Sequence, residues 1–160
     1  MTATRVPSFI DAPGSVTLRS TARLSIYPHE VPPSLRPMAP GLPVAIDSAG
    51  HVRPVQLFDT SAEFAGIAVR PFAEEAASGT PAQDSLIGVM RAGFVRVKVT
   101  GAAAPIKGSP AYVRTVADPV NPVVGGIEAG PAGSNSYQIP GGYFTGPADS
   151  DGIAELALNV

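Results

Sequence analysis

The side chains able to do chemistry are few in this chain and poorly grouped. His29 and His51 are its two histidines, and cysteine is absent. A zinc site needs three or four ligands at helical or hairpin spacing, and neither histidine has such partners. Asp149-Ser150-Asp151-Gly152 opens like a calcium loop. The third carboxylate and closing Glu of an EF-hand do not follow, so the segment reads as a hairpin turn. Glu74-Glu75 reads as a solvated pair. Asp47, Glu63 and Asp84 are the carboxylates a small hydrolase would use, but a glycosidase needs its two at a set separation. No GxSxG elbow, GxGxxG turn or Walker loop occurs. The reading is of a non-enzymatic chain with no catalytic residue, no cofactor and no metal.

The elements that would carry these residues are strands. Gly and Pro number 17 and 18 among 160 residues and punctuate the chain throughout. Pro in a helix interior loses a hydrogen bond and clashes with the preceding turn. Gly there costs about 1 kcal/mol relative to Ala. The longest stretch free of both, Ser15–Tyr27, alternates with period 2. In it Val16, Leu18, Ala22, Leu24 and Ile26 oppose Thr17, Arg19, Thr21, Arg23 and Ser25, which predicts one half-buried strand over Val16–Tyr27. The fold class is all-β: a compact β-barrel or jelly-roll-like sandwich. Short alternating strands fit either a closed barrel or an open sandwich.

Met1–Gly14 lacks periodicity and has Phe9 and Ile10 as its large apolar pair; it reads as an extended N-terminal arm on a single β domain, 15–160. Pro28–Pro43 holds six prolines, spacing that favours polyproline II crossing the fold or lying on a neighbour, with Leu35, Met38 and Leu42 as anchors. Val44–Ile46 and His51–Phe58 flank the turn cluster Asp47–Gly50, and Phe64–Val69 is an apolar run. Phe72–Ser78 is a short helical turn or loop. Leu86–Met90 and Phe94–Val99 read as a hairpin around Arg91-Ala92-Gly93. Ala111–Val116 is a strand, and Pro119–Gly142 a Gly/Pro-rich surface loop with a short strand near Ile127. Tyr143–Thr145 and Ile153–Val160 flank the last turn, with Ala154, Leu156, Leu158 and Val160 on one face. Gly41-Leu42-Pro43 and Gly108-Ser109-Pro110 each lead into a strand, where Pro tolerates the first position.

Composition narrows the partners. Charged residues are 15% of the chain and net charge is −2, with Lys and Arg scattered. Counterion release on nucleic acid needs a basic patch, and base stacking needs aromatics, which are 6% with no Trp. No apolar run reaches membrane-spanning length, and Met1–Ser20 has no signal-peptide pattern. Nucleic acid and membrane are not expected partners, and synthesis in a cytoplasm is. So few charges imply a surface partly covered by another protein.

Four runs taken in order carry a resemblance. They are Phe64–Phe72 (FAGIAVRPF), Ile87–Val99 (IGVMRAGFVRVKV), Lys107–Arg114 (KGSPAYVR) and Gly152–Leu156 (GIAEL). This order of apolar positions and glycines resembles tailed-bacteriophage capsid cement (decoration) proteins over roughly Gly41–Val160. The resemblance implies a β-rich structural protein of the virion. It would be made in the bacterial host cytoplasm, bind the outer surface of the mature capsid and stabilise contacts between capsomers. The major capsid protein would be its partner, together with its own copies as a homodimer or homotrimer. On that reading Phe9, Ile10, Leu35 and Met38 are the capsid- or partner-binding residues, the arm adding a strand to a neighbour's sheet edge. Alternatively these apolar residues pack on their own barrel. The competing function is a glycan-binding or adhesin-type module of a virion fibre or cell surface, which shares the composition but usually displays more aromatics.

Overall fold

A computed structural model describes residues 12–17, 24–35, 38–69, 86–119 and 121–160. Phe9, Ile10, Asp84 and the Phe72–Ser78 segment lie outside the described residues. Among the described residues ten strands form: β1 (Val16–Thr17), β2 (Ser25–Glu30), β3 (Pro43–Ile46), β4 (Val52–Pro54), β5 (Phe64–Val69), β6 (Leu86–Thr100), β7 (Pro110–Arg114), β8 (Ile127–Glu128), β9 (Ser136–Phe144) and β10 (Ile153–Leu158). The described residues hold no helix beyond two three-residue 3-10 turns.

β6 organises the molecule. Its C-terminal half joins β8, β7, β9 and β10 in sequence, and β10 pairs back onto β6, with Leu156 opposite Val95. The result is a closed five-stranded barrel, mixed because β6 and β8 run parallel. Closure leaves no exposed edge in that ring. Inward positions alternate as period 2 requires: Val95 and Val97 on β6, and Ala154, Leu156 and Leu158 on β10, meet Val113, Ile127, Ile139 and Phe144. The N-terminal half of β6 joins β5, β3 and β4 on one path and β2 on another, a second sheet with its own core of Val31, Met38, Val44, Val52, Ala68, Ile87 and Val89. Its outermost strands approach each other, since His51 at the start of β4 lies 3.8 Å from Glu30 at the end of β2.

Four expectations are corrected. The hairpin at Arg91-Ala92-Gly93 does not form; Leu86–Thr100 is one strand of 15 residues. Gly93 has φ +132 and opposes Leu158, while Ala92 opposes Ser25. Both have cross-strand partners, and Gly supplies the unusual φ as the strand passes between sheets. Of the strand expected over Val16–Tyr27, Val16–Thr17 and Ser25–Tyr27 belong to two strands along β6, with Thr17 opposite Phe94 and Ser25 opposite Ala92, while residues 18–23 lie outside the described residues. The described part of the Pro-rich segment is not one polyproline run either. Pro28 lies within β2, Pro33–Leu35 forms a 3-10 turn, and Val31 and Met38 insert into the second core. Finally, the Pro119–Gly142 loop ends early because β9 begins at Ser136. Between Tyr112 opposite Gln138 and Pro110 opposite Tyr143, three extra residues stand on β9. A bulge there accommodates Pro140-Gly141-Gly142, since Pro is tolerated at bulges.

The two Gly-x-Pro entries behave alike: Gly41 and Gly108 have φ +86 and +83, and Pro43 and Pro110 begin β3 and β7. The turns Asp47–Gly50 and Asp149–Gly152 also match. In each the Asp Oδ1 accepts two backbone N–H groups at 2.9 Å, from Ala49 and His51, or from Asp151 and Ile153.

Candidate functional site

Three places in the fold are built with more care than a solvated loop requires. The first is where the chain enters the fold. Gly14 N–H donates to the Arg96 carbonyl at 2.7 Å, and Arg96 N–H donates to Ser15 at 2.9 Å. Gly14 faces Pro40 and Gly41, and a Cβ at either glycine would collide with the other pair: at Gly41 it would stand 2.7 Å from the Pro13 Cβ. Gly41 in turn donates to Ala68 on β5 at 2.7 Å. Two Pro-Gly steps therefore interlock and fasten residue 14 to both sheets.

The second is a buried ionic network at one end of the barrel. Arg114 donates from Nε and Nη2 to the two oxygens of Glu128 at 2.7 and 3.2 Å, and from Nη1 to Asp118 at 2.6 Å. Asn121 bonds Glu128 through its side chain and Asp118 through its N–H, at 2.8 Å for the latter. The hydrogen bond to Glu128, then the charges of Glu128 and Asp118, raise the Arg114 pKa above its ordinary value. Glu128 is 3% exposed, so its charge is tolerated only because it is forked by Arg114. The network fixes the 115–126 loop against the barrel.

The third is the turn Gln56-Leu57-Phe58-Asp59, closed by the Asp59 N–H to Gln56 carbonyl bond at 3.2 Å. Phe58 occupies its third position with φ +65. Among described residues the only other non-glycine with positive φ is Asn159, a type that tolerates it. Asp59 forks with Arg53, at 2.6 and 3.1 Å, and also accepts the Gln56 N–H at 2.8 Å. Burial alone would raise the Asp59 pKa, but the bonds from Arg53 and Gln56 with the Arg53 charge hold it below its ordinary value. Phe58 N–H reaches the Thr115 carbonyl at 3.3 Å, tying the turn to the end of β7. Phe58 is 72% exposed and Leu57 is 53% exposed.

The side chains singled out from sequence are distributed differently. Met38 is 6% exposed inside the second core, and Leu35 packs against the same cluster. Asp47 is engaged in its own turn, and Glu63 accepts from the Thr60 N–H at 2.7 Å and from its hydroxyl. Among the described residues no group of three or more His, Asp or Glu is placed to hold a metal. The Phe58 turn is a surface feature that sequence reading missed; its one signal is an apolar pair followed by Asp in a turn-length gap.

A five-stranded mixed barrel extended by a second sheet, with its ionic groups spent on holding loops, is a scaffold that presents surfaces. The model of the structural cement protein family (E217 gp24/Pam3 gp6) matches residues 14–159. The chain belongs to that family: it is a non-enzymatic, structural phage capsid cement protein and a component of the virion capsid. Among solved structures it is similar to a chain of the capsid of Myoviridae phage XM1, at 20% identity and a TM-score of 0.65, covering 92% of this chain and 89% of that one. At that identity the likeness speaks to the fold. Among curated proteins, none matches.

Proposed function

We propose that the protein binds the outer surface of the mature shell as a homo-oligomer and bridges neighbouring capsomers, through contacts with the major capsid protein. The observation that carries this reading is the family match from residue 14 onward. That boundary falls where Gly14 is fastened to β6, so Met1–Pro13 precedes the shared fold. A segment launched from a fixed point and bearing Phe9 and Ile10 suits attachment to a neighbour. Met38 is buried in the second core and Leu35 packs against it, so this reading assigns attachment to Phe9 and Ile10.

A cement protein stabilises the expanded shell only by its differential affinity for it over the compact one. Many identical contacts on one particle then act together. Counting copies of this chain by quantitative mass spectrometry in gradient-purified particles tests the reading. Copy numbers comparable to the major shell protein are expected. A handful of copies per particle, or none, would overturn it.

A further inference from the structure

We infer that the Gln56–Asp59 turn is a capsid anchor, which inserts Leu57 and Phe58 into an apolar pocket with a basic rim on a shell subunit. This rests on the cement reading and adds to it the part of the surface that docks and the chemistry of what receives it.

The first support is conformational. The third position of this turn calls for Gly or Asn, because φ is positive there. A bulky aromatic at φ +65 is an outlier, held in place by the Arg53–Asp59 fork and the bond to Thr115. Strain of this kind persists where surrounding structure over-determines it, and it clusters at ligand clamps. The second support is exposure. The ring gains little from its own fold, since Phe58 and Leu57 are largely in solvent, while Val123 on the neighbouring loop is also exposed. Two adjacent large apolar side chains on a braced turn are pre-organised, so little conformational freedom is lost on docking.

Charge selects the occupant. Arg53 is engaged by Asp59 and lies close enough to Asp47 and Glu63 for both to raise its pKa, while Arg114 serves both Asp118 and Glu128. Among the described residues around the turn, carboxylates outnumber cations, leaving a surplus of acid. A two-fold contact between copies would set this acidic surface against itself, which is unfavourable. A shell subunit offering Lys or Arg around an apolar pocket has no such conflict.

The test uses the full chain and mature shells purified from phage lacking it, with binding read by co-sedimentation. Phe58→Gly supplies the required φ without a side chain. It is expected to melt no lower than wild type and to bind shells at least tenfold more weakly. Phe58→Tyr keeps the ring and is expected to bind like wild type. If Phe58→Gly binds shells as wild type does, the anchor assignment is wrong while the cement reading stands. A Phe58→Gly chain that keeps shell binding but changes its mass in solution would make the turn a contact between copies, also against the assignment. Wild-type chain that fails to bind the shells would remove the cement reading and the anchor with it.

Discussion

Tyr137 carries a hydroxyl buried with no hydrogen-bond partner among the described residues. Burial, then the nearby Asp59 and Glu63 charges, push its pKa up. A buried donor left unpaired costs stability, whereas an apolar group of the same shape does not. Tyr137→Phe is therefore expected to leave the melting temperature unchanged or raise it, by about 1 kcal/mol of stability at most; calorimetry reads this directly. Asp59 gives a pH dependence with a definite sign. Its folded pKa lies below the unfolded value of about 4. The stability it supplies is thus complete above about pH 4 and is lost as pH falls through the lower, folded value. Melting curves of wild type and Asp59→Asn should differ at neutral pH and converge in acid; a gap that persisted at pH 2 would count against the Arg53 pairing as its cause.

At the level of elements, the Arg114–Glu128 pair joins β7 to β8 and anchors the 115–126 loop. Removing one partner leaves a buried charge uncompensated, at about 3–5 kcal/mol. Arg114→Met should lower the urea midpoint accordingly. Adding Glu128→Leu should recover part of that loss, because the orphaned charge is gone. A double variant less stable than the single would contradict this account. The same scale explains β6. Arg-Ala-Gly reads locally as a hairpin turn, and only the partners of Ala92 and Gly93, Ser25 and Leu158, keep the strand continuous. Those partners are distant in sequence, so local turn chemistry is outweighed by pairing on both edges.

For the molecule as a whole, the interlock of Pro13-Gly14 with Pro40-Gly41 separates the family fold from what precedes it. Deleting Met1–Asp11 spares that interlock. The truncated chain is expected to keep its wild-type circular dichroism and melting temperature and to bind shells more weakly. Equal binding by the truncated chain would show that the preceding segment adds nothing to attachment.

Much of the architecture was legible beforehand, and for physical reasons. Dense Gly and Pro exclude long helices, period-2 alternation in Phe94–Val99 and Ile153–Leu158 marks barrel faces, and Asp-x-x-Gly encodes both tight turns. Each of these signals is local, carried by backbone sterics or by side chains a few residues apart. The order of glycines and apolar positions was likewise enough to place the chain among cement proteins, because a shared fold repeats the same backbone demands. Closure of the barrel was not legible, since it depends on β10 meeting β6 about sixty residues away and alternation is the same in a sandwich. Nor was the burial of Met38, which depends on Val44, Val52, Ala68 and Val89 gathering into one cluster once the strands of the second sheet have paired. The strained exposure of Phe58 was hidden for the same reason: its φ is imposed by a fork to Arg53 and a bond to Thr115, contacts that exist only once the strands have assembled.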